Sequence, residues 1–389
     1  MTRRAAIVVL DGLGVGPAHD TDQYGDSGSH TLGNVVRSAS GLRLPNLEAL
    51  GLGRTADLGS IRSVSTPQAA HGSCEPASPG KDSTTGHWEI CGLLLAEPFP
   101  TFPEGFPEDL LREFSRRTGR GVLANKAGSG TALLEEFGAA HVASGDWIVY
   151  TSADSVFQVA AHEDVVPLEE LYRACAIGRD MLQPPVGVSR VIARPFRGSP
   201  GRWERTPDRR DFSLAPPGVT LLDRLAAAGI ARVGVGKVDD LFAGRAIESI
   251  HTKTNQEAYR LIRDALQTMA QGFLFANVIE FDQTWGHRND IQGFVDGLRE
   301  LDEAMPSILD ATRADDLIIF TADHGNDPTT PSTDHSREVV PVLAYGPKIA
   351  AIDLGRRTTF ADMGQTVAEF LGVEPLSAGK SFLSEVWRG

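Results

Sequence analysis

Residues 5–12 read Ala-Ala-Ile-Val-Val-Leu-Asp-Gly, a short apolar run that passes directly into an acidic turn. A continuous apolar run of this length predicts a strand buried on both faces of a sheet, as parallel strands usually are. Similar runs follow at residues 232–235, 273–281, 317–321 and 340–345. Helical patterns separate them, near residues 220–228, 255–270, 291–309 and 362–371. This alternation indicates an α/β protein with a doubly wound, largely parallel sheet.

A middle section lies between two breaks rich in proline and glycine, at residues 97–103 and 215–218. It has strand-like runs at residues 147–151 and 189–193 and helical patterns near residues 108–117 and 169–182. Two surface loops within one domain would also explain the breaks. We favour a smaller α/β domain inserted into the first, because domain boundaries fall where few contacts cross. The expected domains are a core of residues 1–98 and 218–389 and an insert of residues 99–217.

The composition excludes several classes of protein. The chain has 389 residues, 41% of them hydrophobic, which is typical of a globular protein with a sizeable core. The formal net charge of −14 disfavours nucleic acid and anionic membranes as partners, and mildly disfavours anionic substrates. Three cysteines without a Cys-x-x-Cys pair favour a reducing cytoplasm. No stretch has the roughly 20 apolar residues of a membrane span, and the apolar run at residues 5–10 is too short for an export signal.

Acidic residues follow three of the predicted strands, at the ends where α/β sheets gather their ligands, and histidines follow in the same loops. The six residues are Asp11, Asp282, His287, Asp323, His324 and His335. Carboxylates mixed with imidazoles suit two divalent ions of the zinc or manganese type better than calcium. Paired ions of this kind stabilise the attacking and leaving oxygens in phosphoryl transfer. Each motif alone is weak evidence for a metal site, since Asp-Gly, for example, is a common turn. The metal hypothesis depends on the occurrence of all these motifs at strand ends.

Three hydroxyl side chains, of Ser83, Thr84 and Thr85, precede a helical pattern at residues 88–95. A hydroxyl at a helix N-terminus faces free backbone N–H groups and the positive end of the helix dipole, which favours an attached phosphate. Serine and threonine are also ordinary N-caps, and without the metal set that would be the better interpretation. Because the candidate metal ligands are present, this segment is the candidate nucleophile.

Polar residues elsewhere suit a phosphorylated sugar. Residues 150–155 follow a predicted strand and offer partners for sugar hydroxyls, while Arg190 and Lys237 suit a phosphate. A single arginine is more often a solvated surface charge, whereas Lys237 is more telling because lysine is rare in this chain. The candidate substrate-binding residues are Ser152, Asp154, Val156, Arg190, Ile192 and Lys237.

Together these segments resemble the phosphopentomutase family of the alkaline phosphatase superfamily over nearly the whole chain. The resemblance lies in residues 9–16, 41–47, 80–89, 102–107, 150–155, 190–196, 281–290, 321–326 and 333–338. It implies an alkaline-phosphatase-like, doubly wound core with an inserted smaller α/β cap domain. It also implies two divalent ions, most often manganese, and interconversion of ribose 1-phosphate with ribose 5-phosphate or of their 2-deoxy forms.

The resemblance also assigns roles to residues. One ion would be held, together with the nucleophile, by Asp11, Asp323 and His324. The other would be held by Asp282, His287 and His335. The phosphorylated residue would be Ser83, where the family usually has threonine, with Thr84 and Thr85 as alternatives. The phosphoenzyme would act through a 1,5-bisphosphate, and an activating sugar bisphosphate is a candidate partner besides the sugar phosphate itself.

Four further positions depart from the family pattern. Gly12 and Glu280 stand where serine and aspartate are usual, and Asp208 and Arg210 stand where asparagine and histidine are usual. The last two leave open a mutase or phosphatase for another sugar phosphate on the same scaffold. A more distant alternative is an inactive homologue that only binds metal or a protein partner. The six retained ligands and the hydroxyl at position 83 argue against that alternative.

Overall fold

The computed structural model describes residues 3–152, 155–183 and 187–389. The strands are β1 (Arg4–Leu10), β2 (Ala70–Cys74), β3 (Val122–Ala127), β4 (Trp147–Thr151), β5 (Val156–His162), β6 (Arg190–Arg197), β7 (Glu204–Arg205), β8 (Arg210–Ser213), β9 (Arg232–Val235), β10 (Ser249–Ile250), β11 (Gly272–Val278), β12 (Asp316–Thr321), β13 (Val340–Tyr345) and β14 (Asp353–Arg357). The helices are α1 (Thr31–Ser38), α2 (Pro45–Leu50), α3 (Ser83–Ile90), α4 (Glu108–Thr118), α5 (Gly130–Ser144), α6 (Leu168–Met181), α7 (Leu221–Ala227), α8 (Val238–Leu241), α9 (Asn255–Thr268), α10 (Ile291–Leu309), α11 (Ala361–Leu371) and α12 (Leu383–Val386). Within these ranges, no helix combines the length and the apolar character that crossing a membrane requires.

The chain divides into two compact units, which are described separately. The core unit comprises Met1–Pro98 and Pro216–Gly389, and the insert unit comprises Phe99–Ala215. The insert unit thus ends at Ala215, two residues before the expected end of the insert at residue 217.

The core unit contains an eight-stranded sheet in the order β10-β9-β11-β1-β12-β13-β2-β14. Strand β1 is parallel to both of its neighbours, β11 and β12, and all seven of its residues are buried. The apolar run at the start of the chain is therefore the central strand of the sheet. Strand β13 is antiparallel to β12 and to β2, so the sheet is parallel on one side of its centre and mixed on the other.

Parallel pairing in register brings three strand ends to the same edge. Leu10, at the end of β1, pairs with Val278, at the end of β11, and Val9 pairs with Thr321, at the end of β12. The loops that leave these three strands carry the acidic residues singled out in the sequence. The prediction that these loops leave a common sheet edge is confirmed.

Strand β11 is shorter than predicted, since it ends at Val278 and not at residue 281. Residues Phe281–Trp285 form one turn of π-helix, a wide turn that is often found at functional sites. This turn carries Asp282, and the following 3-10 turn, Gly286–Arg288, carries His287. Phe281 is apolar and buried, so in the sequence it resembles a further residue of the strand, but its backbone is helical.

The insert unit has its own sheet, in the order β3-β4-β5-β6-β7, with β8 paired to β6. Helices α4 and α6 pack on one face, through a core that includes Phe114, Phe157 and Cys175. Helix α5 packs on the other face, where Leu133 and Leu134 belong to the same hydrophobic cluster as Ile148 and Phe196. A mixed sheet with helices on both faces is the α/β arrangement expected for this segment.

Candidate metal centre and nucleophile

Two groups of possible metal ligands share Asp282. One group consists of Asp282, His287 and His335, and the other of Asp11, Asp282 and His324, with the ligand atoms of each group within 4.8 Å of one another. Five of the six predicted ligands thus come together, with Asp282 between the two groups. The sixth, Asp323, lies beside them, with its Oδ2 atom 3.4 Å from Nε2 of His324.

The first group is built around the carboxylate of Asp282. Its Oδ2 atom lies 3.4 Å from Nε2 of His287, and its Oδ1 atom lies 3.3 Å from Nε2 of His335. The side chain of Asn326 also donates to Oδ1, at 2.7 Å. Nδ1 of His287 lies 2.7 Å from the carbonyl oxygen of Thr333, which fixes the ring with Nε2 directed at the carboxylate.

The second group lies at the end of β1. Nε2 of His324 lies 3.4 Å from Oδ1 of Asp11. Nδ1 of His324 lies 3.0 Å from the carbonyl oxygen of Gly325, an arrangement typical of metal-ligating histidines. The other Asp11 oxygen, Oδ2, lies 2.8 Å from Nζ of Lys237, which the sequence had suggested for substrate phosphate. The structure brings Lys237 into the ligand cluster itself.

Burial and charge compete in this cluster. Burial alone would raise the pKa of Asp11, but Lys237 and His324 hold it below its ordinary value. Burial alone would lower the pKa of His324, but Asp323, Asp11 and Asp282 raise it to about 10. The pKa of Asp282 is well below its ordinary value, because His335 and His287 outweigh the effect of burial. The cluster therefore holds anionic carboxylates that require positive charge close by.

The residues fit divalent cations. Oδ2 of Asp323 is buried and, within the described part of the chain, receives no well-aligned hydrogen bond. A cation would satisfy this oxygen and would replace the protons that otherwise balance the carboxylates. Mixed nitrogen and oxygen donors are the set that zinc and manganese accept. The sequence-derived prediction of a divalent metal centre agrees with this chemistry.

Ser83 is the first residue of α3, which begins five residues before the predicted helix at residue 88. The N-cap is Asp82, whose carboxylate accepts hydrogen bonds from the backbone N–H of Thr85 at 3.0 Å and from the hydroxyl of Thr85 at 2.6 Å. The expectation that the hydroxyls precede the helix is wrong, because Asp82 takes the capping position and all three lie in the first turn.

Within the described part of the chain, Ser83 is the one of these three residues whose hydroxyl contacts the ligand cluster. Oγ of Ser83 lies 3.1 Å from Nε2 of His324 and 3.5 Å from Oδ1 of Asp11. The hydroxyl of Thr85 is engaged by Asp82 instead. Because Gly86 has no side chain, α3 can lie close to Asp323. A Cβ at position 86 would be only 2.8 Å from Cβ of Asp323.

His87 is a site residue that the sequence reasoning missed. It is completely buried, and its Nδ1 atom lies 2.9 Å from the carbonyl oxygen of Ser83 and 3.1 Å from Oδ2 of Asp323. Nε2 of His87 lies 3.2 Å from Nδ2 of Asn277, in β11. One ring thus connects the candidate nucleophile, a candidate ligand and the central sheet. Its spacing of four residues from Ser83 on one helix was the signal available in the sequence.

Arg337 fixes the segment that precedes the nucleophile. Its guanidinium donates to the carbonyl oxygens of Ser78 and Gly80, both at 2.6 Å, and forms two hydrogen bonds of 3.0 Å with Asp20. Backbone carbonyls buried without donors would be costly, so this buried arginine determines the path of residues 78–80. No local sequence pattern distinguishes Arg337 from a solvated surface arginine.

The insert unit brings several predicted substrate residues to one end of its sheet. Val156 begins β5 and pairs with Arg190, which begins β6, and Ile192 lies two residues further on the same face. Ser152 directly follows β4. Arg190 lies 3.5 Å from Oδ2 of Asp211. Asp154 lies outside the described residues.

Two departures from the family pattern have structural explanations. Glu280 accepts a hydrogen bond from the backbone N–H of Asn255 at 2.6 Å, and its own N–H donates to Asn255 at 2.9 Å, so it fixes the start of α9. Arg210 lies over the rings of Tyr172 and Phe212, at 5.3 and 5.2 Å. Arg210 pairs with Ala193, which faces α4 and α6, whereas Arg190 and Ile192 face the opposite side.

Comparison with known proteins identifies the chain. The fold and the ligand groups define its class, a metalloenzyme, and the model of the Metalloenzyme superfamily matches residues 3–375. A phosphopentomutase of Dictyoglomus turgidum is 51% identical over 389 residues, covering 100% of this chain and 99% of the relative. One of Caldanaerobacter subterraneus subsp. tengcongensis is 49% identical over 388 residues, covering 99% of this chain and 98% of the relative. The chain belongs to the phosphopentomutase family.

Among solved structures, Leishmania mexicana phosphoglycerate mutase aligns with 100% of this chain and 98% of its own, at 14% identity and a TM-score of 0.49. The resemblance and fold class inferred from the sequence are confirmed by the family match. The family and the two ligand groups together make this a protein that binds divalent metal.

Proposed function

We propose that the protein is a metal-dependent phosphopentomutase, an isomerase that interconverts ribose 1-phosphate and ribose 5-phosphate or their 2-deoxy forms. Full-length similarity to proteins of that name supports the reaction and the pentose phosphate substrate. The single structural observation that carries the chemistry is the Ser83 hydroxyl, 3.1 Å from His324 at the start of α3. The sparse, buried cysteines support a cytoplasmic enzyme.

Ser83 is the proposed phosphorylated residue. A phosphoryl group on Ser83 would lie in the first turn of α3, where backbone N–H groups and the helix dipole favour negative charge. Transfer to the free hydroxyl of a pentose monophosphate breaks the bond to Oγ of Ser83 and gives a 1,5-bisphosphate. After the bisphosphate reorients, its other phosphoryl group returns to Ser83. Ser83 ends the cycle as it began.

The six ligands fit two divalent ions, and manganese is the metal we propose. Asp11, Asp323 and His324 would hold the ion beside Ser83. Asp282, His287 and His335 would hold the other. When bound, the ions neutralise charge on the transferring phosphoryl group and lower the pKa of the serine hydroxyl. The ring of His87 hydrogen-bonds the carbonyl oxygen of Ser83 and lies 3.1 Å from Oδ2 of Asp323.

We infer that the insert unit is the cap domain that recognises the sugar. Ser152, Asp154, Val156, Arg190 and Ile192 are its proposed substrate residues. Lys237, in the core unit, would bind a phosphate oxygen or balance the charge of Asp11. A cap that excludes water favours transfer to a sugar hydroxyl over hydrolysis.

The test is phosphorus NMR of the enzyme with Mn²⁺ and ribose 1-phosphate, with and without a catalytic amount of sugar bisphosphate. We expect ribose 5-phosphate to accumulate while inorganic phosphate stays near its background. Dominant release of inorganic phosphate would identify a phosphatase. A panel of hexose and pentose monophosphates determines the sugar, and turnover of a hexose phosphate alone would overturn the pentose assignment.

A further inference from the structure

The carboxylate of Glu338 lies where three segments of the core unit meet, and Glu338 is completely buried. Its Oε2 atom accepts hydrogen bonds from the backbone N–H of Gly16, after β1, at 3.1 Å and from that of Thr31, at the start of α1, at 3.0 Å. Its Oε1 atom accepts from the hydroxyls of Thr31 at 2.7 Å and of Ser336 at 2.8 Å. Donors from three segments therefore converge on one residue that is not among the proposed metal ligands.

Two glycines leave the space that this carboxylate occupies. A Cβ on Gly14 would collide with Oε2 of Glu338, and a Cβ on Gly325 would collide with Oε1. Gly14 lies three residues after Asp11, and Gly325 directly follows His324. The loops after β1 and β12, which carry candidate ligands, thus pack directly against Glu338.

The hydroxyl of Thr31 connects Glu338 to Asp282. This hydroxyl donates to Glu338 and accepts from the backbone N–H of Asn326, at 3.0 Å. The side chain of Asn326 in turn donates to Oδ1 of Asp282, at 2.7 Å. Thr31 and Asn326 are completely buried, and hydrogen bonds are electrostatically stronger inside a protein than in water. The orientation of the Asp282 carboxylate therefore depends on Glu338 through two intermediate residues.

A second connection leads to His335. Ser336, whose hydroxyl donates to Glu338, directly follows His335 in the chain. The backbone N–H of Ser336 donates to the carbonyl oxygen of Gly325 at 2.7 Å, and the N–H of Gly325 donates back to that of Ser336 at 3.0 Å. Glu338 and this bridge fix the backbone that carries His335. Both connections thus end at the first ligand group.

We propose that Glu338 is a positioning residue of the metal centre, which holds Asp282 and His335 in place for the ion of the first ligand group. The inference rests on the proposed two-ion centre and assigns the geometry of one ion's ligands to a residue that coordinates neither ion. The second group has a support of its own, because Asp11 is held by Lys237 at 2.8 Å. Loss of Glu338 should therefore affect one ion far more than the other.

Titration of the full-length, metal-depleted protein with Mn²⁺ tests the proposal by calorimetry, with EPR spectroscopy of the bound Mn²⁺ as a second readout. In Glu338→Gln, one acceptor oxygen becomes a donor and faces groups that donate. We expect one Mn²⁺ binding event to weaken roughly 10- to 100-fold, the usual effect of losing a group that orients a ligand, while the other event is retained. The EPR spectrum of two coupled ions should give way to that of an isolated ion.

Two variants of Thr31 test the connection to Asp282. Thr31→Val keeps the shape of the side chain but removes the hydroxyl, and it should weaken the same Mn²⁺ event. Thr31→Ser keeps the hydroxyl and should bind both ions as the unmodified protein does. If Glu338→Gln does not fold, these two variants decide the question.

Asp302→Asn is the matched control. Asp302, in α10, is also a buried carboxylate, and it accepts from the backbone N–H groups of Asn46 at 2.9 Å and Leu47 at 2.8 Å, at the start of α2. Helix α2 carries none of the six proposed ligands. Asp302→Asn should therefore lower the melting temperature of the metal-free protein, as Glu338→Gln does, yet retain both Mn²⁺ events.

Unchanged Mn²⁺ binding in Glu338→Gln and Thr31→Val would overturn the proposal. So would equal weakening of both events, or the same loss in Asp302→Asn, because either result indicates a general loss of stability. Fewer than two Mn²⁺ events in the unmodified protein would overturn the two-ion assignment and this inference together. The mutase reaction is tested separately by the NMR assay, so its failure would be recognised independently.

Discussion

The hydroxyl oxygen of Ser83 lies 3.1 Å from Nε2 of His324, across 241 residues of chain. Ser83 comes from the first turn of a helix, and His324 comes from the loop after a central strand. Neither element would place its residue there alone. The pair therefore defines the point at which the proposed phosphoryl transfer takes place.

Ser83→Ala should remove phosphoenzyme formation and reduce turnover on the order of 10³-fold or more, because no other hydroxyl of the described residues reaches this position. Ser83→Thr should remain active, since threonine carries the same hydroxyl. Labelling with radioactive phosphate and mapping the labelled peptide measure both variants. Thr84→Ala is the control, and loss of the label in that variant instead would move the nucleophile to Thr84.

Binding of Mn²⁺ should stabilise the protein, because the ions neutralise buried carboxylates. At a free metal concentration a hundred times Kd, the gain is about 2.7 kcal/mol. Calorimetric melting with chelator and with Mn²⁺ measures this shift, and Asp282→Asn should remove most of it.

A matched control exists for this metal prediction. Asp239, Asp240 and His251 form a third group of possible ligands, but Asp240 and His251 are exposed. Asp239→Asn should keep the full metal-induced shift. A shift that disappears in Asp239→Asn and persists in Asp282→Asn would place the stabilising metal elsewhere.

His87→Leu should weaken metal binding roughly 10- to 100-fold, the usual effect of removing a group that orients a ligand. His87 is a positioning residue, so the readouts are Mn²⁺ affinity by calorimetry and the yield of phosphorylated Ser83. His87→Asn places an amide donor close to the position of Nδ1 and should recover part of both. Equal metal affinity in the leucine variant and the unmodified protein would contradict this role.

Arg210→His, which restores the usual family residue, should change KM for ribose 5-phosphate by less than about twofold. Arg210 packs on Tyr172 and Phe212, on the face opposite to Arg190. Arg190→Ala should instead raise KM about tenfold, the effect of losing roughly 1.4 kcal/mol from a charged hydrogen bond. Steady-state kinetics distinguish the two, and a larger change for Arg210→His would make that departure a determinant of the substrate.

The sequence predicted those features that follow from local patterns. Buried strands and helices appear as apolar runs and periodic segments, and helix α10 has the predicted bounds, Ile291–Leu309. Asp11, Asp282 and Asp323 could be grouped because parallel strands share an edge. The net charge of −14 was a poor guide to the phosphorylated substrate that we propose, because a sum over the chain does not describe a local cluster of cation ligands.

The remaining features depend on tertiary contacts that no local pattern specifies. The proximity of Lys237 to Asp11 and the contacts of Arg337 with carbonyls 257 and 259 residues away are of this kind. The early start of α3 arises from competition between Asp82 and the hydroxyls that follow it, all of which are capable caps. The role of His87 depends in the same way on its contacts with Asp323 and Asn277, which are distant in the chain.

The central position of β1 has a consequence for biosynthesis. Its two sheet neighbours, β11 and β12, begin about 270 and 310 residues later in the chain. At a synthesis rate of about 5–20 residues per second, the ribosome releases β1 roughly 15 to 60 seconds before both partners exist. An apolar strand without neighbours is prone to aggregation during that interval. The strands of the insert sheet, β3 to β8, all lie within residues 99–215, so the insert unit can fold before β11 and β12 are synthesised.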